Sequence, residues 1–295
     1  MPKVSIIIPT YNRASYLKEA IESILCQSFQ DFNIIVTDNA STDDTEKVVI
    51  GFKSSKIFYH KNPTNIGVVN NHNKALELAN GEYIAVFSDD DLMLTDSLLK
   101  RVEILDKYKS VDLVHSNIEI INEKGEIIGL NHWAKSYCRD WDKKHKEDVL
   151  FEGIDYFKIL YYEWNVISMP SVMFRKSVTG NVSGFNSKSK YFCDWDLWMK
   201  ICLFGDVYYL SQQLVKYRVH SSNTIKEISD DINKKELILI KNMLFDKYAY
   251  KLIELYINKN EIDETVNTQI GTYPIVLKSS GNLIINKIKK LISAL

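Results

Sequence analysis

The first 117 residues alternate apolar, β-branched runs with amphipathic helical segments, and that alternation leaves few folds open to the chain. Residues 4–8 are a near-continuous apolar run, the pattern of a strand covered on both faces. A helix follows in which Leu17, Ile21, Ile24 and Leu25 share one side. Further strands are expected at 32–37, 57–60, 83–87 and 113–117, with helices at 42–52, 68–79 and 95–108 between them. Ser41 and Thr42 are read as capping the second helix, and Gly81 as closing the third. Strands separated by helices pair in parallel through right-handed crossovers, so the expected class is α/β, a Rossmann-like, mostly parallel sheet flanked by helices.

The remainder reads less regularly. Residues 118–121 and 126–130 flank Asn122-Glu123-Lys124-Gly125 as a hairpin, and 131–150 read as a polar, aromatic loop over the site. Helices are expected near 154–163 and 196–204, with an amphipathic pair over 232–258. Ile284, Ile288, Leu291 and Leu295 form one face near Lys287, Lys289 and Lys290, suited to packing on the domain or to lying on a membrane surface. This divides the chain into 1–224, with a nucleotide-binding half at 1–117 and an acceptor and catalytic half at 118–224, and a helical extension at 225–295.

Charge narrows the partners. The 37 basic and 38 acidic residues nearly cancel, so no basic field points to nucleic acid. Cys26, Cys138, Cys193 and Cys202 lack metal-site spacing and read as reduced thiols, which with the absence of a long apolar run points to a cytoplasmic protein, at most at the inner face of a membrane.

Ligands of such sheets bind beyond the carboxyl ends of the strands. Each of the first four strands ends here in a polar cluster: Pro9-Thr10-Tyr11-Asn12-Arg13, Asp38 to Asp43, Asn62 to Gly67, and Ser88-Asp89-Asp90-Asp91. Four such loops at one edge describe a pocket. The first glycine of the chain is Gly51, which excludes a glycine-rich phosphate loop after the first strand. Adjacent carboxylates repel unless a cation lies among them, so Asp89, Asp90 and Asp91 point to Mg2+ or Mn2+ shared with substrate phosphates.

These motifs, with Asn65-Ile66-Gly67, Gly81-Glu82-Tyr83-Ile84, Cys193-Asp194-Trp195-Asp196-Leu197-Trp198 and Tyr217-Arg218-Val219-His220, resemble the family 2 inverting glycosyltransferases of the GT-A fold. The resemblance covers residues 3 to about 224 and implies sugar transfer from a nucleotide-diphosphate sugar to a hydroxyl. By the same resemblance Pro9, Thr10, Tyr11, Asp38, Asn39 and Asn65 belong to the nucleotide site, and Asp89 to the ribose. Asp90 would hold the metal, with Asp91 and His220 as further ligands, and Asp194 would be the catalytic base. An imidazole ligand favours Mn2+ over Mg2+. Three positions depart from the family: Asn39 replaces an acid that receives the uracil N3–H, His72 stands where an arginine is frequent, and Cys193 replaces a glutamate.

The resemblance implies a UDP- or dTDP-sugar donor, with a GDP-sugar also compatible, and a glycan or lipid-linked hydroxyl acceptor in cell-surface polysaccharide or glycoconjugate synthesis. Two other readings stay open at this point: a catalytically silent sugar-nucleotide or glycan-binding protein, and a nucleotidyltransferase. Trp133, Tyr137, Trp141, Trp164, Trp195 and Trp198 are candidates for a sugar-stacking platform or for core.

Overall fold

A computed structural model describes residues 1–130, 141, 145–221 and 230–258. Its centre is a ten-stranded sheet whose main path runs β3-β2-β1-β4-β9-β6-β10-β5. The strands are β1 (Val4–Thr10), β2 (Phe32–Asp38), β3 (Ile57–Lys61), β4 (Tyr83–Val86), β5 (Leu92–Met93), β6 (Val111–Ile121), β7 (Ile127–Leu130), β8 (Val149–Phe151), β9 (Met173–Arg175) and β10 (Asp206–Arg218). Pairing of β1 with β2 and β4, of β2 with β3, and of β6 with β10 is parallel. In contrast β9 runs antiparallel between β4 and β6, and β5 runs antiparallel on β10.

The apolar run at the start of the chain explains the layering. Side chains alternate across a strand, so Ile6 and Ile8 enter one core with Leu17, Ile21 and Ile24 of α1 (Ala14–Leu25). Val49 of α2 (Thr45–Gly51) and Leu98, Val102 and Leu105 of α4 (Ser97–Lys107) complete that face. Ile7 points the other way, into a second core with Val69 and Ala75 of α3 (Val68–Leu78). Trp195 and Trp198 of α7 (Cys193–Cys202) belong to this second core. So do Ile240, Leu244, Phe245 and Leu252 of α8 (Asp230–Asn258), which bends at Tyr248. Between them lie α5 (Gly153–Lys158), which continues into a wider turn over Ile159–Glu163, and α6 (Thr179–Val182).

Several local expectations change. The strand expected at 113–117 and the first arm of the hairpin are one strand, β6, because its buried side chains run through to Ile121 without a turn residue. The pair expected over 232–258 is present as two helical stretches of one run, 230–258, that meet at the non-helical backbone of Tyr248. The second helix begins at Thr45, where Asp43 rather than Ser41 or Thr42 accepts the Thr45 N–H at 3.1 Å. Gly81 does not close α3; the helix ends at Ala79 in extended backbone. What Gly81 provides is close approach, since a Cβ there would lie 2.4 Å from the Ser5 amide nitrogen. Trp141 is core, packed on Tyr156 and Tyr209, while the rest of 131–144 and the apolar face at 284–295 lie outside the described residues. Among the described residues no helix is long and apolar enough to cross a membrane.

The parallel register carries Thr10 opposite Asp38 and Asp38 opposite Lys61, so the loops after β1, β2 and β3 emerge at one edge. The same edge receives the end of β10, where Val215 and Lys216 pair with β5. Gly81→Ala should lower stability by about 2–4 kcal/mol in urea denaturation, because backbone atoms of Val4 and Ser5 cannot yield. Gly51→Ala, in open space at the end of α2, should be neutral or stabilising by about 0.5–1 kcal/mol; equal losses at both positions would contradict this account of Gly81.

Candidate active site

A cavity of about 540 Å³ opens at this edge, lined among others by Pro9, Thr10, Tyr11, Arg13, Asn39, Asn65, Asp89, Asp90 and Asp194. All these side chains come from strand ends or from the start of α7. The loops hold one another. Asn12, with φ of 53°, accepts the Thr42 N–H on its amide oxygen at 2.8 Å, and its own N–H donates to Ser41 Oγ at 2.8 Å. Asn39 accepts the Ile66 N–H at 2.9 Å and donates to Asn65 Oδ1 at 2.8 Å. Its amide oxygen also accepts from the Asn62 side-chain amide at 3.4 Å, so both of its lone pairs are engaged within the loops.

The aspartate cluster divides by environment. Thr10 Oγ1 donates to Asp89 Oδ2 at 2.7 Å, and burial, with the neighbouring Asp90, pushes the Asp89 carboxyl up to about 7. Asp90 faces Arg13 Nη1 at 2.6 Å and His220 Nε2 at 2.8 Å, and those two nitrogens are 2.8 Å apart. His220 is buried and stacks on Tyr16 with ring centres 5.1 Å apart. Asp91 is fully buried and accepts the Arg218 N–H at 2.8 Å; it does not line the cavity. Asp38 also sits behind the wall, where its carboxylate accepts the Ser41 N–H at 2.7 Å and the Tyr59 hydroxyl at 2.5 Å. Both expected site residues therefore hold loops in place here, Asp91 the loop after β4 and Asp38 the turn after β2.

A divalent cation suits the residues that remain. Asp90 Oδ2 and His220 Nε2, 130 positions apart, lie 2.8 Å from each other, an oxygen and a nitrogen close enough to bind one ion together. Among the described residues no group of three or more His, Cys, Asp and Glu side chains gathers to hold a metal alone. Such a pair fits an ion that takes its other ligands from substrate phosphate and water.

The opposite wall comes from the second core. Trp195, buried, donates its indole N–H to the Leu160 carbonyl at 2.9 Å and packs on Trp164, 5.0 Å away, which lines the cavity. Trp198 is core and offers no platform. Asp194 opens α7, and burial pushes its carboxyl up to about 6 despite hydrogen bonds from the Trp195 amide and the Asn165 side chain. Cys193 is buried with its thiol pushed up by burial and by Asp194. Asp196 is buried in an ion pair with Lys200 four residues on, a structural use of its charge. His72 lines the cavity but binds the Val68 carbonyl through Nδ1 at 2.9 Å, and burial lowers its affinity for a proton.

Three contributors carried no site role in the sequence reading. Arg13 was visible only as the end of the first loop. Arg218, buried, donates to the Asp90 carbonyl at 2.8 Å and to Glu19 at 2.6 Å. Glu236 of α8 accepts from Ser189 Oγ at 2.6 Å and from the Tyr191 N–H at 3.0 Å, which fixes the cavity wall just ahead of Asp194. A glutamate on an amphipathic helix 42 residues beyond Asp194 carries no local signal of that contact.

The family model described as Glycosyl transferase family 2 matches residues 5–179. An uncharacterized glycosyltransferase of Methanocaldococcus jannaschii is 30% identical over 225 residues, covering 74% of this chain and 71% of that protein. Among solved structures, S. aureus TarS 1–349 in complex with UDP-GlcNAc is similar with a TM-score of 0.66 at 18% identity, covering 97% of this chain and 80% of that one. The mannosyltransferase PcManGT from Pyrobaculum calidifontis, in complex with GDP-Man and Mn2+, gives a TM-score of 0.56 at 16% identity, covering 99% and 81%.

The raised Asp194 carboxyl has a consequence for stability. Its folded-state value of about 6 exceeds the ordinary 3.8, so the contribution of Asp194 to stability is full at low pH and is lost as pH rises from about 4 through 6. Asp194→Asn, which carries no charge to bury, should be more stable than the native protein by ~1–2 kcal/mol at pH 7.5, allowing for solvent in the cavity. The gain should vanish near pH 4; an asparagine variant no more stable at pH 7.5 would contradict the stated environment of Asp194.

Proposed function

The chain belongs to glycosyl transferase family 2, and on that premise we propose that it is an inverting, metal-dependent glycosyltransferase that uses a nucleotide-diphosphate sugar, with Asp194 as base. The observation that carries the reading is the sharing of one cavity by two opposed sets of groups. Asp90, Arg13 and the loops after β1, β2 and β3 line one side, and Asp194 and Trp164 line the other. Tyr217 lies between them: its hydroxyl is held in the protonated form first by burial and then by the charges of Asp91, Asp90 and Asp194.

The chemistry follows from the two walls. The donor diphosphate lies toward Asp90 and Arg13, which turns the anomeric carbon toward Asp194. Asp194 accepts the proton of the acceptor hydroxyl while that oxygen bonds to the anomeric carbon from the side opposite the diphosphate. The bond from carbon to phosphate oxygen breaks, the nucleoside diphosphate leaves with its electron pair, and the anomeric centre inverts. Asp90 and His220 would hold a divalent cation, which would supply charge neutralisation for that leaving group. A base pushed up to about 6 is still ionised at neutral pH and takes a proton more readily than an ordinary carboxylate.

UDP-GlcNAc and GDP-Man are bound by proteins of the same fold, and the uridine- and guanosine-linked donors are both open to this cavity. The acceptor is a glycan or lipid-linked hydroxyl, in cell-surface polysaccharide or glycoconjugate synthesis, as the family resemblance implies.

Two measurements test the reading. Thermal unfolding with UDP, dTDP, GDP or CDP should rise for one nucleotide only when Mn2+ is present, and a rise without metal dependence would remove the cation from donor binding. Asp194→Asn should lower transfer by about 10³-fold or more with nucleotide binding kept within about threefold. In the native enzyme, the rate should fall as pH drops through 6, because the base is then protonated. Retained transfer by the variant would take the base role from Asp194.

A further inference from the structure

Asp90 and His220 already hold a cation of the protein's own. Arg13 Nη1 lies 2.6 Å from Asp90 Oδ2 and 2.8 Å from His220 Nε2, and its Nε lies 3.9 Å from Asp89 Oδ1. A divalent ion bound to the same oxygen and the same nitrogen would sit about 2.1 Å from each. On the side from which Arg13 approaches, that position overlaps the guanidinium nitrogen, so the two cations cannot share it. We propose that Arg13 is a resident counter-ion that keeps the divalent metal out of the site until a nucleoside diphosphate enters, and that its guanidinium then turns to the diphosphate. The inference rests on the reading of Asp90 and His220 as the metal pair.

The charge and the geometry both support an exchange of partners. A guanidinium stays protonated across the pH range of proteins, so only a competing anion can draw it away. A diphosphate does two things at once: it offers a forked partner that matches guanidinium geometry, and it adds oxygen ligands for the metal. Arg13 lines the same cavity that the donor would enter, so the new partner arrives within reach.

The exchange needs only the side chain. On one flank the backbone is tied by Asn12 N–H to Ser41 Oγ at 2.8 Å, and on the other by Ala14 N–H to Asp43 Oδ2 at 3.0 Å. A second cavity of about 350 Å³ is bounded by Asn12, Arg13, Tyr16, Asp43 and Asp44, so Arg13 borders open space on two sides. His220 is held from behind by Tyr16, so the metal-side pair stays in place when Arg13 leaves. The device makes metal and donor bind together: metal alone meets a cation, and donor alone meets a site whose carboxylates keep only the guanidinium.

The test is titration of the full chain with Mn2+ alone, with free Mn2+ followed by electron paramagnetic resonance. Arg13→Gln, and Arg13→Met as a second neutral variant, should bind Mn2+ about tenfold or more tightly than the native protein. Arg13→Lys, which keeps the charge, should stay near the native affinity. Adding Asp90→Asn to Arg13→Gln should abolish the gain, and thermal unfolding of each variant checks that it is folded. Mn2+ affinity that is unchanged or weaker in both neutral variants, yet still sensitive to Asp90→Asn, would overturn the counter-ion role and leave the metal pair standing. Affinity indifferent to Asp90→Asn would overturn the metal pair and the counter-ion with it.

Discussion

Two hydrogen bonds weld the loop after β4 to the last residue of β10. The Arg218 N–H donates to Asp91 Oδ1 at 2.8 Å, and the Arg218 guanidinium donates to the Asp90 carbonyl at 2.8 Å. Arg218 and Asp91 are buried, so water cannot replace the bond between them, and burial with the charge of Asp90 pushes the Asp91 carboxyl well up. The guanidinium also reaches Glu19 on α1 and the Glu123 carbonyl in the β6–β7 turn. Four segments distant in sequence thus meet at one side chain. What the weld positions is Asp90 facing His220, two residues beyond the clamp. Without it, the short β5–β10 pairing of two residues would be left to hold that edge of the cavity.

The other wall depends on hydrophobic packing. α7 is buried along most of its length against α5 and the sheet, and α8 covers it with Ile240, Leu244 and Phe245. Asp194 opens this helix, so its place follows from the core beneath it rather than from its own contacts. Glu236 completes the arrangement by binding the backbone just ahead of it. The family match ends at Val178's neighbour, residue 179, yet α8 at 230–258 shares the core behind the site. Cys193 lies in this wall as a small buried thiol packed in the same core.

The parallel sheet and the four polar strand ends were legible because both rest on local patterns. β-branched runs declare strands, and parallel pairing puts their carboxyl ends at one edge whatever the loops contain. The same reasoning placed Asp90 and Asp194 on one cavity through the family motifs. Asp38 and Asp91 show where it stops: a carboxylate's neighbours in sequence do not reveal whether it faces the cavity or a backbone amide behind it. Arg13 and Glu236 were illegible for the same reason, since their partners lie 77 and 46 positions away. Gly81 was misread because a glycine after a helix usually marks a left-handed cap, whereas here the constraint is the β1 backbone against it.

The central claim is that the clamp brings Asp90 and His220 together as one metal-binding pair. Pulsed electron paramagnetic resonance of Mn2+ in the complex with protein and UDP tests it directly, because a coordinated imidazole nitrogen modulates the electron spin echo. The account predicts modulation from one nitrogen that disappears in His220→Gln. Bound Mn2+ with no nitrogen modulation, or modulation that survives His220→Gln, would contradict it.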